Sequence, residues 1–165
     1  RQRQLFICHT IIKPCKGIVD VKLRKLPVFN QYIKSKKPVG IMFIDADHLK
    51  YINDTFGHDM GNLAISSIAS VIRQYCPANS VSMRYGGDEF VCVIPDYNQT
   101  QMQKLKQNLL DSLATLSRNS RMAFPIEASI GFVVADDPVF SLNDYINLAD
   151  EKMYVEKKER KATRQ

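Results

Sequence analysis

The sequence predicts an α+β domain: helices packed on a central, mostly antiparallel sheet, with elements in the order β-α-α-β-β-α-β-α. Three observations carry this prediction. "SVSMRYGGDEFVCVIP" (Ser80 to Pro95) reads as a β-hairpin, alternating with period two before Gly86-Gly87 and running through β-formers after it. Two further strand-like runs, "VGIMFIDAD" (Val39 to Asp47) and "IEASIGFVVA" (Ile126 to Ala135), stand far apart in the chain. Between and after them, apolar residues recur at helical spacing.

In chain order, residues 1 to 24 are basic and broken by Lys13-Pro14 and Lys16-Gly17, which reads as a linker or interdomain segment ahead of a domain at 25 to 165. A short helix fits Pro27 to Ser35. Val39 to Asp47 is a buried strand running into two aspartates. A short helix follows from about His48 to Phe56. After the Gly57-His58 break comes a longer one, whose Met60, Ala64, Ile68, Val71, Ile72 and Tyr75 form one apolar stripe. Gly86-Gly87 is a hairpin turn signal, since glycine supplies the positive φ of a tight primed turn. Met102, Leu105, Leu109, Leu113 and Leu116 mark the next helix. Ile126, Ala128, Ile130, Phe132 and Val134 share one face of the last strand. Ser141 with Asp144 is a capping signal for a final helix to about Lys161.

The bulk numbers set bounds on function. A chain of 165 residues can bury a substantial core, and 45% hydrophobic with 24% charged residues is ordinary for a globular domain. The net charge of +6 fits a phosphate-bearing partner, or merely solvated helix faces. The sequence lacks the aromatic-interleaved basic strands of a single-strand nucleic-acid binder. Four cysteines (Cys8, Cys15, Cys76, Cys92) form no metal-binding spacing, and Cys92 reads as a small buried hydrophobe. A reducing cytoplasm follows as the expected compartment. No apolar run reaches the ~18 residues of a membrane helix, and no signal peptide is seen. The chain begins at Arg rather than Met, so a domain of a longer protein is expected.

An ordinary turn needs no Asp-Glu pair. In an antiparallel sheet the first strand can lie beside the hairpin, so Asp45 would end next to Asp88 and Glu89. Three carboxylates at neighbouring strand ends repel unless a cation lies between them, and hard oxygen ligands suit Mg²⁺ or Mn²⁺. Gly86 and Gly87 leave room for a base or phosphate to approach the backbone. The helix after Asp47 offers free N–H groups to phosphate oxygens. Lys157 and Lys161, one turn apart, can reach the same phosphates. Taken singly, the Asp-x-Asp reads as a turn or cap and the lysines as surface charge. Together the parts describe metal-assisted nucleotidyl transfer.

"RYGGDEF" (Arg84 to Phe90) resembles the signature of GGDEF domains, the diguanylate cyclases of bacterial signalling. "FIDADHLKYINDTFGHDMGN" (Phe43 to Asn62), "ASIGF" (Ala128 to Phe132) and "ADEKMYVEKKERK" (Ala149 to Lys161) extend the likeness to about residues 26 to 161. The resemblance implies a polymerase-palm or nucleotidyl-cyclase-like fold that condenses two GTP into cyclic di-GMP. It implies metal ligation by Asp45, Asp88, Glu89 and the Ala46 carbonyl, with Asp88 and Glu89 catalytic. The backbone of Asp47, His48, Leu49 and Lys50 would hold the triphosphate, Asn53 and Asn62 would read the base, and Lys157 and Lys161 would meet phosphates. Gly86 and Gly87 would face the substrate. Each domain would hold one GTP, so catalysis would need two facing domains, under an upstream regulatory region.

The sequence departs from the family pattern in four places. Asn62 stands where Asp is usual; a carboxylate accepts both guanine donors, whereas an amide offers one acceptor and one donor. Either Asn53 suffices for guanine, or selectivity loosens toward a mixed GMP-AMP product. The family's Arg-x-x-Asp product-inhibition site is replaced by Pro77 and Ser80. "IVDVKLRKLPVF" (Ile18 to Phe29) lacks the usual polar lead-in; this and Asn62 favour a rival reading as a weak or inactive GTP-binding receptor. Lys161 replaces an arginine, keeping charge without the fork geometry.

Overall fold

In a computed structural model of the chain, the described residues are 4–7, 29, 33–34, 36–119 and 123–163. The elements are β1 (Gln4–Ile7), β2 (Val39–Ala46), α1 (Leu49–Phe56), α2 (His58–Tyr75), β3 (Val81–Arg84), β4 (Glu89–Pro95), α3 (Gln99–Asn119), β5 (Ala128–Ala135) and α4 (Leu142–Thr163). From β2 onward this is the order expected from sequence. Part of the stretch read as linker, β1, adds an antiparallel strand beside β3; the rest of residues 1 to 24, with Cys8 and Cys15, lies outside the described residues. Of the short helix expected at 27 to 35, Phe29, Ile33 and Lys34 are described, and they are helical.

The five strands lie in the order β1-β3-β4-β2-β5, with every pairing antiparallel. β2 is therefore an interior strand, paired with β4 and β5, and its two faces are both covered. Its even-numbered Met42, Ile44 and Ala46 pack under α2 and α3, with Ile68, Ile72, Leu105 and Leu109. Its odd-numbered Val39, Ile41 and Phe43 pack under α4, with Tyr145, Ile146, Ala149 and Met153. Burial on both faces explains why its sequence is an apolar run rather than an alternation. Each buried Ile or Val contributes roughly 1.5–3 kcal/mol, so the strand that delivers Asp45 is firmly held.

The predicted stripes of α2 and α3, and the predicted face of β5, all belong to the first of these clusters. At the start of α4, Ser141 N–H and Oγ–H both donate to the Asp144 carboxylate at 2.7 Å, and the Asp144 N–H returns to Ser141 Oγ at 3.3 Å, a reciprocal capping box. Cys76 and Cys92 are both buried, as thiols. Beside the outermost strand β5, buried Lys106 of α3 ion-pairs with Glu156 of α4, joining helices from opposite sides of the sheet.

Candidate functional site

The sheet register sets Asp45 opposite Glu89 on β4 and opposite Ser129 on β5. Strand alternation turns all three toward the α4 side. The Ala46 N–H donates to the Asp88 carbonyl at 2.8 Å, which ties the hairpin turn to the end of β2. Carboxylate oxygens of Asp45, Asp88 and Glu89 consequently lie within 4.8 Å of one another. A set of hard oxygen donors at this spacing fits a Mg²⁺- or Mn²⁺-sized ion. Burial pushes the Asp45 carboxyl above its usual range; the Lys157 hydrogen bond and charge pull it back, and the charges of Asp88 and Asp47 add to the rise. For Lys157, burial lowers the pKa, but hydrogen bonds and charge from Asp45 and Asp47 outweigh it and leave the ammonium raised.

The turn between Arg84 and Glu89 differs from the expected two-residue primed turn. Tyr85 and Gly86 N–H groups both donate to the Glu89 carbonyl, at 2.7 and 3.3 Å, closing a longer loop. This loop contains no left-handed residue; among the described glycines only Gly57 has positive φ, at 88°. Gly86 is needed for another reason, because a Cβ there would overlap the Glu89 carboxylate. Around Gly87 there is open space. The Arg84 guanidinium staples the loop by donating to the Gly87 carbonyl, Nε at 3.2 Å with Nη2 beside it.

Asp47 is corrected from backbone phosphate donor to buried ion partner. Its N–H donates to the Glu127 carbonyl at 2.9 Å, extending the ladder one residue past β2. Its carboxylate, 7% exposed, accepts from Ser129 Oγ at 2.8 and 2.9 Å, and pairs with Lys157 at 3.0 Å and Arg160 at 3.3 Å. Arg160 also donates to Ser129 Oγ, and Lys157 also donates to Asp45. His48 does not start the helix; it is a left-handed N-cap with φ 60°, its imidazole 3.8 Å from the Glu127 carboxylate. The first turn of α1, at Leu49 and Lys50, leaves N–H groups without intrahelical acceptors.

Two clefts open near the site, one bordered by Asp88 and the other by Asp47 and Lys157. One of about 400 Å³ is lined by Lys50, Asn53, Asn62, Arg84, Gly87 and Asp88, among others. The other, about 460 Å³, is lined by Asp47, His48, Lys50, Tyr51, Asp54 and Lys157. Lys50 and Asp54 border both. Asn53 is held against Gly61, where a Cβ would overlap its side-chain oxygen; Asn62 is exposed on α2, and Leu49 is half-buried against the core. Lys161 sits in α4 one turn beyond Lys157, with its side chain outside the described residues. Pro77 and Ser80 form a tight turn, the Ser80 N–H and Oγ–H donating to the Pro77 carbonyl at 2.9 and 2.6 Å.

Sequence reasoning missed Arg160, Ser129 and Arg84. Arg160 lies three residues from Lys157, hence on the same face of α4, and Ser129 is a polar residue on the buried opposite face of an apolar strand. Both signals were available.

The family profile described as "Diguanylate cyclase, GGDEF domain" matches residues 25–163. The probable diguanylate cyclase DgcT of Escherichia coli K12 is 30% identical over 122 residues, covering 72% of this chain and 27% of that protein. An uncharacterized 19.3 kDa protein of Streptomyces ambofaciens is 34% identical over 119 residues, covering 72% of this chain and 63% of that protein. The chain thus spans less than two thirds of the length of either. Among solved structures, the active GGEEF domain of a diguanylate cyclase from Vibrio cholerae is similar with TM-score 0.75 at 22% identity, over 83% of this chain and 86% of that one. The GGDEF domain of DgcB from Caulobacter crescentus, in complex with c-di-GMP, gives 0.74 at 24%, over 81% and 80%.

Proposed function

Because the chain belongs to the GGDEF-domain family of diguanylate cyclases, we propose that it condenses two molecules of GTP into cyclic di-GMP, releasing two pyrophosphates. The observation that supports this reading most is the convergence of Asp45, Asp88 and Glu89 within 4.8 Å, with Asp88 bordering a cleft that Asn53 and Asn62 also line. In this reading Asp45, Asp88, Glu89 and the Ala46 carbonyl hold Mg²⁺ or Mn²⁺. When bound, the metal lowers the pKa of the attacking ribose hydroxyl and neutralises the α-phosphate.

The remaining work falls to the chain. The N–H groups of His48, Leu49 and Lys50 take the triphosphate at the start of α1, helped by the side chains of Lys50, Lys157 and Lys161. Asn53 and Asn62 hold the guanine edge in the cleft that ends at Gly87 and Asp88. Asp88 and Glu89 are the catalytic carboxylates, with Glu89 kept in place by the bare Cα of Gly86. One domain presents one GTP, so the second comes from a facing copy, brought together by a region beyond this domain. Among the described residues no helix is long and apolar enough to cross a membrane; the proposed site of action is the cytoplasm, where GTP is supplied.

The pair of amides, Asn53 and Asn62, lining one cleft favours a second reading, relaxed base selectivity. The test is incubation of the domain, alone and fused to a constitutive dimeriser, with Mg²⁺ and mixed GTP and ATP, followed by mass spectrometry. Cyclic di-GMP alone supports the first reading, and a mixed GMP-AMP product the second. Absence of product while GTP still binds would replace both with a nucleotide receptor.

A further inference from the structure

The Lys157 ammonium donates to Asp45 and stands 3.0 Å from Asp47. Asp45 is also one of the three carboxylates that converge. A divalent ion and an ammonium cannot share the same carboxylate lone pairs without close cation–cation repulsion. The pair is well shielded, Lys157 being 23% and Asp45 17% exposed in their side chains, so this competition is weightier than at a surface ion pair.

We propose that Lys157 is an exchangeable cation of this site: its ammonium neutralises Asp45 and Asp47 until a divalent ion takes Asp45 and the nucleotide phosphates take the lysine, while Arg160 stays on Asp47. This rests on the metal-site reading above.

Three features fit the exchange. Lysine is a point charge on a flexible stem, whereas arginine's planar fork holds one geometry. Arg160 engages both Asp47 and Ser129, so Asp47 keeps a cation and a hydroxyl donor after Lys157 leaves. Lys157 also lines the cleft that Lys50 borders, which gives the released amine a place to meet phosphate. The consequence is coupling: metal alone must displace an ammonium, whereas metal with triphosphate gives that ammonium a new partner, so the two ligands reinforce each other.

The test is Mn²⁺ binding, followed by electron paramagnetic resonance, on the wild type and on Lys157→Met, with and without a non-hydrolysable GTP analogue. Lys157→Met is expected to bind Mn²⁺ roughly three- to tenfold tighter without nucleotide, and the analogue should then strengthen Mn²⁺ binding less than in the wild type. Lys158→Met, which removes a neighbouring charge outside the site, should match the wild type. Equal affinities for Lys157→Met and wild type would overturn the exchange while leaving the metal site standing. Mn²⁺ binding unaffected by Asp88→Ala would instead remove the metal-site reading, and the exchange with it. Should Lys157→Met not fold, amine acetylation of the wild type gives the answer: saturating Mn²⁺ should speed modification of Lys157, and an unchanged rate would refute the proposal.

Discussion

Gly131 of β5 lies directly under the backbone of Ala149 in α4: a Cβ at 131 would overlap the Ala149 carbonyl oxygen and the Met153 nitrogen. This close approach sets the height of α4 over the sheet, and with it the positions of Lys157 and Arg160. Because the obstacle is backbone, nothing can swing aside. Gly131→Ala should lower stability by about 1–3 kcal/mol, read as a reduced urea midpoint, and should weaken GTP binding measured by calorimetry.

Gly86 faces a side chain rather than backbone. Gly86→Ala should therefore push the Glu89 carboxylate aside with little change in melting temperature, while product formation falls roughly ten- to a hundredfold. Gly87→Ala meets open space and should leave Glu89 in position. A loss of activity in Gly86→Ala no greater than in Gly87→Ala would contradict this role.

Asp47 carries the buried ion network. Asp47→Ala removes the partner of Ser129, Arg160 and one side of Lys157, and should cost about 1–3 kcal/mol. That is less than a fully buried pair, because both cations are partly solvated. Equilibrium denaturation at neutral pH measures it.

The capping box gives a pH signature. Hydrogen bonds from Ser141 hold the Asp144 carboxyl below its usual 3.8. A depressed folded-state pKa means the stabilisation is complete above that value and is lost as pH falls through the lower folded one. The difference in urea midpoint between wild type and Asp144→Ala should be constant near neutrality and narrow below about pH 3.8.

Restoring a carboxylate at Asn62 would give guanine two acceptors in place of one. Asn62→Asp should raise the preference for GTP over ATP by about tenfold, measured by competition in binding. An unchanged ratio would mean that Asn53 alone sets the base.

Much of this was legible in the sequence because it rests on local pattern. The unbroken apolar run before Asp45 announces a strand covered on both sides, and the Asp88-Glu89 pair after Arg84 and Tyr85 announces a turn with work to do. Antiparallel pairing then brings the carboxylates together. What was not legible depends on distances between elements. The pairing of Arg160 and Ser129 with Asp47 follows from how low α4 sits over Gly131, and the N–H of Asp47 is taken by a strand extension invisible in its own flanking residues. Gly86 and Gly87 suggest both a primed turn and room for a ligand, yet neither has positive φ, and the clearance at Gly86 is for the domain's own Glu89 carboxylate.

The ion pair between Lys106 and Glu156 bears on how copies of this domain can associate. β5 ends the sheet, and a free strand edge is a template on which a neighbouring chain can add a strand. A helix on each side of that edge, tied together by a lysine with little exposure to water and a half-exposed glutamate, makes such addition costly, since the incoming strand would have to part the pair and leave the lysine's charge buried. Growth of the sheet across the β5 edge, one route to fibres, is thereby disfavoured, and the opposite edge of the sheet is β1.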